Sequence, residues 1–216
     1  MKQTPKKHSI LARSLAVTLS VCGVAVLVSA LPVRAEIAKP NLYPIAWELV
    51  FTHGKPQRVV VEIPGEKSPV AYWYMPYSVT NETDREQTFF PFFELIDDAG
   101  NVARSDKLVP PSVFEAIRKR EGNKFLEPSL KIAGEIRLGE DQARDGVAIW
   151  TEPAPEMGAF SIFVGGLSGE HTTIKTTDGK PVVLRKTRQL NFLVRGDEVF
   201  PGEDEVNSNP AVWVMR

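Results

Sequence analysis

The sequence predicts an all-β domain: a sandwich of about eight to ten short antiparallel strands, with one short helix inserted near residues 112–121. Three observations lead there. Apolar residues alternate with polar ones in runs of five to seven, which is the period of a strand with one buried face. Glycine, proline, asparagine and aspartate interrupt those runs roughly every 8–12 residues, the spacing of a sandwich or barrel. Only one stretch has its apolar residues at helical spacing.

Residues 1–35 read as a secretory signal peptide, with Lys2, Lys6, Lys7 and Arg13 ahead of an uncharged run from Leu15 to Leu31. Val33 and Ala35 then supply small residues before Glu36, so cleavage after Ala35 is expected. Export to the periplasm or the extracellular space follows, the alternative being a chain tethered to the membrane by an uncleaved leader. A lipid-attachment site at Cys22 is rejected, because Val21 stands where a small residue belongs and the apolar run continues past it. The leader carries five basic residues, counting Arg34, out of 26 in the chain, against 27 acidic ones that all follow it. The mature chain is therefore acidic, with a net charge near −6, which disfavours nucleic acid and anionic membrane surfaces as partners. Its only cysteine, Cys22, leaves with the leader, so the fold must rest on its core.

Residues 36–45 form an irregular lead-in, and 46–216 a single domain. Trp47, Leu49 and Phe51 alternate with Glu48 and Val50, and Val59, Val61 and Ile63 alternate with Arg58, Val60 and Glu62. Next come two aromatic strands, "AYWYMPYSVTN" from Ala71 and "QTFFPFFELIDD" from Gln87, separated by a polar turn over 82–86. Pleat parity puts Trp73, Tyr77, Phe89 and Phe93 in the core, if the strands form a hairpin about that turn. The helix follows Pro110-Pro111, carries a narrow stripe of Val113, Phe114 and Ile117, and stops at Gly122. Beyond it, "GVAIWT", "AFSIFVGG" and "QLNFLVR" read as strands, the last two with Phe160, Ile162, Val164, Leu190, Phe192 and Val194 inward. Asp178-Gly179 between Thr172–Thr176 and Val182–Leu184 marks a hairpin, and "AVWVMR" reads as a last strand.

The stretch "YWYMPYSVTNETDREQTFFPFFELIDDAGN", followed by "FSIFVGGLS" and "LNFLVRGDE", resembles immunoglobulin-like β-sandwich domains of uncharacterised bacterial secreted proteins, most closely at "YSVTN". The resemblance spans most of the mature chain and implies a fold without implying an activity.

No catalytic motif is found, and no cofactor is expected. "GGLSGEH" lacks the second glycine of a serine elbow, because Glu170 stands in its place, although His171 follows Ser168 by three residues. His53 and His171 are too far apart for a zinc site. Asp197, Glu198, Glu203, Asp204 and Glu205 concentrate oxygen ligands in one loop and Asp97-Asp98 in another, a calcium alternative that misses the EF-hand spacing. A hydrolase built on a carboxylate pair stays open as a third reading. The leading expectation is a secreted, non-enzymatic module that binds a protein or an envelope component, with a polysaccharide as the alternative partner. Its predicted contact face is Tyr72, Tyr74, Phe90 and Phe92, unless the 112–121 helix covers those rings.

Overall fold

Thirteen strands, two α-helices and one 3-10 turn (Glu140–Gln142) follow one another in the computed structural model, which describes residues 38–153, 157–195 and 205–216. In chain order the first strands are β1 (Val50–His53), β2 (Gln57–Val61), β3 (Val70–Thr80), β4 (Gln87–Phe89), β5 (Phe92–Asp97) and β6 (Val102–Arg104). Helix α1 (Pro111–Glu121), β7 (Glu127–Pro128), α2 (Ser129–Ile132) and β8 (Gly134–Ile136) come next. The remainder is β9 (Arg144–Thr151), β10 (Ala159–Gly165), β11 (His171–Lys175), β12 (Pro181–Arg195) and β13 (Glu205–Met215). The all-β class holds, and its strands are almost all antiparallel.

Strand β3 organises the first sheet. It pairs with β1 and β2 along different halves and with β9 over eight positions, and β9 takes the two residues of β7 in parallel. The second sheet runs β11-β12-β10-β5-β6, with β13 also paired to β12. A two-stranded ribbon, β4 with β8, stands apart from both.

The two large sheets share one core. From the first sheet it takes Trp73, Met75, Tyr77, Val79, Ala148 and Trp150; from the second it takes Phe93, Leu95, Phe160, Ile162, Val164, Leu190 and Phe192. Alternation is the reason, since each strand sends every second side chain to one side. Rings cross the interface, with centroids 5.6 Å apart for Trp73 and Phe160 and 4.8 Å for Tyr77 and Phe93. Trp73, Tyr77, Phe89 and Phe93 are all core residues.

The expected hairpin about 82–86 does not form. Strand β3 belongs to the first sheet and β5 to the second, so the chain crosses between layers there. Asn81 holds the corner: its side-chain amide donates to the carbonyls of Arg85 and Ile136, each at 2.9 Å, and its oxygen accepts from Thr83. Both lateral edges of β3 are already occupied by β1, β2 and β9. The two aromatic rows therefore meet face to face through the core, where larger rings fit better than along a ladder.

Strand β9 shows why "GVAIWT" carries no alternation. Ala148 and Trp150 point into the shared core, while Val147 and Ile149 join a second cluster on the opposite face of the sheet. A strand covered on both sides reads as a continuous apolar run. What covers the second side is α1, whose Val113 and Ile117 are fully buried there. The helix opens with proline in its first turn and ends at Gly122, whose φ of 65° and N–H to the Arg118 carbonyl form a left-handed cap.

Two further details depart from the sequence pattern. The segments around Val182 and Leu190 are one continuous strand of 15 residues, β12, because Lys186 and Thr187 between them are buried instead of lying in a loop. At Asp178-Gly179 only the glycine has positive φ, 81°, with its N–H bonded to Thr176 O, so the turn carries a glycine bulge in place of a two-residue loop.

Candidate functional site

The four predicted contact rings separate into two places. Tyr72 and Tyr74 are 4% and 0% exposed and pack with Val113 and Ile117 of α1. The Tyr74 hydroxyl donates to Glu121 Oε1 at 2.7 Å and lies 3.1 Å from Gln57 Oε1. Burial and the Glu121 carboxylate together push its pKa well above the ordinary tyrosine range. These two rings form a second core, because an amphipathic helix needs an apolar surface and the outer face of β3 and β9 provides one. They do not share an accessible face with the phenylalanines.

Phe90 and Phe92, in contrast, are 67% and 40% exposed. They sit where the chain leaves β4, paired to β8, and enters β5, paired to β10. Pro91 between them has no N–H to extend a ladder, so Phe90 is left without a covering strand. Gly166 allows the end of β10 to lie against this crossing: its φ is 86°, and a Cβ there would collide with the Phe90 carbonyl oxygen.

Around these rings lies a groove of about 520 Å³, lined among others by Trp47, Phe90, Phe92, Glu94, Arg185 and Arg216. The Glu94 carboxylate is 8% exposed and bridges two cations, Arg104 Nε at 3.1 Å and an Arg216 nitrogen at 2.6 Å. Those guanidiniums also cover aromatic faces, Arg104 over Phe92 at 5.2 Å and Arg216 over Phe163 at 4.2 Å. Phe90 makes no ring or cation contact with the described residues and presents an open face.

The remaining sequence candidates are accounted for by local structure. Ser168 Oγ accepts the Glu170 N–H at 3.1 Å, and His171 Nδ1 lies 3.1 Å from the Gly169 carbonyl; neither is directed at the other. The Asp97 carboxylate accepts the Asn101 backbone N–H and side-chain amide, which closes the turn and holds its pKa below the ordinary value. Arg118, Lys119 and Arg120 are the solvated face of α1. Asn81, in the glycosylation pattern Asn81-Glu82-Thr83, is wholly buried. Among the described residues, no three His, Cys, Asp or Glu side chains converge as metal ligands. The acidic loop of Asp197, Glu198, Glu203 and Asp204 lies outside the described residues, as does the side chain of Glu205.

Among the described residues, two acids meet directly through a hydrogen bond. Glu135 on β8 hydrogen-bonds Glu86, which raises its pKa, but both stand on open surface and neither lines the groove.

Glu94 lies two residues from Phe92 in β5, on the face that pleat parity shares with the phenylalanines. Sequence reasoning missed Arg185 and Trp47, which come from β12 and the segment before β1, and nothing local in the sequence links them to the rings.

No protein family, curated protein or solved structure matches this chain. The geometry of the groove is therefore what any functional reading must rest on. Among the described residues no helix is long and apolar enough to cross a membrane.

Proposed function

We propose that this chain is an exported, non-enzymatic binding module on an immunoglobulin-like sandwich, and that it holds a segment of another protein or envelope component in the Phe90–Phe92 groove. The observation that carries this reading is the pair of phenylalanines left 67% and 40% exposed at the mouth of a 520 Å³ groove. The other large aromatics of the two strands are buried. An exposed aromatic pair in a concavity is where interface energy concentrates, and such anchors typically cost about 2 kcal/mol or more when truncated.

Two rival readings have less support. A polysaccharide site stacks sugars on open, coplanar rings, whereas the Phe92 face is already covered by Arg104. A carboxylate hydrolase needs two acids facing each other in a cavity. The groove's acid, Glu94, is neutralised by two arginines, and the Glu86–Glu135 pair lies outside it.

Panning random phage-displayed peptides on the wild type, with counter-selection on a Phe90→Ser/Phe92→Ser variant, tests the reading. Peptides that bind only the wild type support it. Retention on insoluble polysaccharide that depends on the same two rings would replace it with the carbohydrate reading. Export is tested separately by intact mass, which should place the mature N-terminus at Glu36.

A further inference from the structure

Three large apolar side chains outside the groove stand almost bare: Leu108, Phe125 and Leu130 are 88%, 69% and 83% exposed. They belong to the loop before α1, the loop after it and α2, and one strand edge anchors all three segments. Asp106 N–H donates to Ile149 O at 2.7 Å, Glu127 and Pro128 pair with Gly146 and Val147, and Ser129 Oγ donates to Val147 O at 3.1 Å. Carbonyls two residues apart in a strand point to the same edge, about 7 Å from one another. Here that is the edge of β9 that β3 leaves free. In α2, Ser129 and Ile132 are buried, which turns Leu130 and Lys131 outward. Each apolar tip has a lysine next to it in sequence. Lys107, Lys124 and Lys131 are exposed and form no ion pair with any described residue. The acids around them are engaged elsewhere: Glu127 holds Arg144 at 2.6 Å, Asp145 accepts the Asn123 amide at 2.9 Å, and Asp106 turns its carboxyl to Ser105 and Ser129. Leu108 is also strained, since its φ of 58° is left-handed and no burial of its side chain offsets that. Strain of this kind gathers at binding and switch sites.

We infer that this edge docks on an anionic phospholipid bilayer, with Leu108, Phe125 and Leu130 entering the boundary between headgroups and acyl chains and the three lysines reaching the phosphates. The edge is separate from the groove, and its contact does not depend on what the groove holds. The arrangement suits a bilayer better than a protein. The tips are single side chains on separate turns, interleaved with ammonium groups, whereas the core of a protein interface is a packed patch from which lysine is depleted. A fluid interface closes around isolated tips without matching pockets, and it lets lysine stems lie in apolar surroundings while the ammonium stays at the phosphate level. Lys124 already has that disposition, its ammonium 4.9 Å from the centre of the Phe125 ring. The net charge of the mature chain counts against such a surface on average, but attraction is set by the charges within about 10 Å of it.

The experiment floats the exported protein, its mass confirming the start at Glu36, on vesicles of phosphatidylcholine and phosphatidylglycerol at about seven to three, against phosphatidylcholine alone. Wild type should float with the anionic vesicles and not with the neutral ones, and added salt should release it. Lys107→Gln, Lys124→Gln and Lys131→Gln should each weaken partitioning about fivefold, the effect of one basic residue near such a surface. Leu108→Ser/Phe125→Ser/Leu130→Ser should weaken it about tenfold or more at an unchanged melting temperature, because the three side chains are exposed in the fold and buried only in the lipid. Phe90→Ser/Phe92→Ser should float as wild type does. Loss of flotation in that variant instead would move the lipid contact to the groove and overturn this one. Flotation that survives removal of the three tips would reduce to charge attraction and overturn the docking edge. A wild type that ignores both vesicles refutes the bilayer, and if it elutes as a dimer that the triple serine variant turns into a monomer, these side chains belong to a contact with a second copy.

Discussion

Lys186 Nζ lies 2.9 Å from Glu170 Oε2, and the two side chains are 2% and 3% exposed. The same ammonium reaches Glu48 Oε1 at 2.7 Å, and the second Glu170 oxygen accepts both the backbone N–H and the side-chain amide of Asn41. One buried ion pair thus joins β12, the turn before β11, the segment before β1 and the lead-in. Removing one partner of such a pair strands the other, so Lys186→Met or Glu170→Leu should each cost about 3–5 kcal/mol in urea denaturation. The double variant should recover part of that loss, and Asn41 should exchange its amide proton faster in Glu170→Leu.

The pair also sets a pH dependence. Burial pushes the Glu170 pKa up, but the Asn41 N–H, the Lys186 ammonium and the Asn41 amide outweigh it and hold it below the ordinary 4.5. A depressed carboxylate contributes stability above its unfolded pKa and loses it as pH falls through the folded one. Burial lowers the Lys186 pKa, yet hydrogen bonds to Glu48 and Glu170 raise it beyond the ordinary 10.5, so its contribution fades only as pH rises past that folded value. Melting temperature should therefore fall on the acid side of 4.5, and Glu170→Gln should flatten that limb relative to the wild type.

Tyr72 and Tyr74 should behave as core residues. Changing both to serine is expected to cost several kcal/mol, since truncating one buried aromatic costs about 3–5 kcal/mol. Tyr74→Phe removes only the hydroxyl, with its bond to Glu121 and its approach to Gln57, and should cost about 1.5–3 kcal/mol, the range for a hydrogen bond to a charged group. Hydrogen exchange across α1 should speed up markedly in the double variant and slightly in the single one.

Phe90 and Trp73 make the opposite comparison. Phe90→Ser should change stability by no more than about 0.5 kcal/mol, because the ring is exposed, whereas Trp73→Ala or Phe160→Ala should cost about 3–5 kcal/mol. Denaturation midpoints at constant slope separate the two classes.

Gly166 links the fold to the groove. Gly166→Ala needs a positive φ that L-residues resist and places a methyl group on the Phe90 carbonyl, so it should destabilise by more than about 1 kcal/mol. The same substitution should weaken any ligand that depends on Phe90, measured as a change in dissociation constant at a temperature where the variant is still folded.

Parity and punctuation were enough to read much of this chain. The inward set of Phe160, Ile162 and Val164, the buried Trp73 and Tyr77, the stop at Gly122 and the turn at Gly179 all follow from sterics within a few residues, which the sequence expresses directly. Only tertiary packing decided which strands share a sheet. A polar segment such as 82–86 can close a hairpin or cross between layers, and the buried amide of Asn81, reaching Ile136 some 55 positions away, settles which. Packing likewise chose the rings that α1 covers, and it brought Arg185 and Phe90 into the lining of one groove and Lys186 beneath Asn41, at separations where no local pattern records a contact. Short-range geometry is repeated in every stretch of sequence, whereas a long-range partner is selected by the burial of everything between, and that selection exists only in the folded chain.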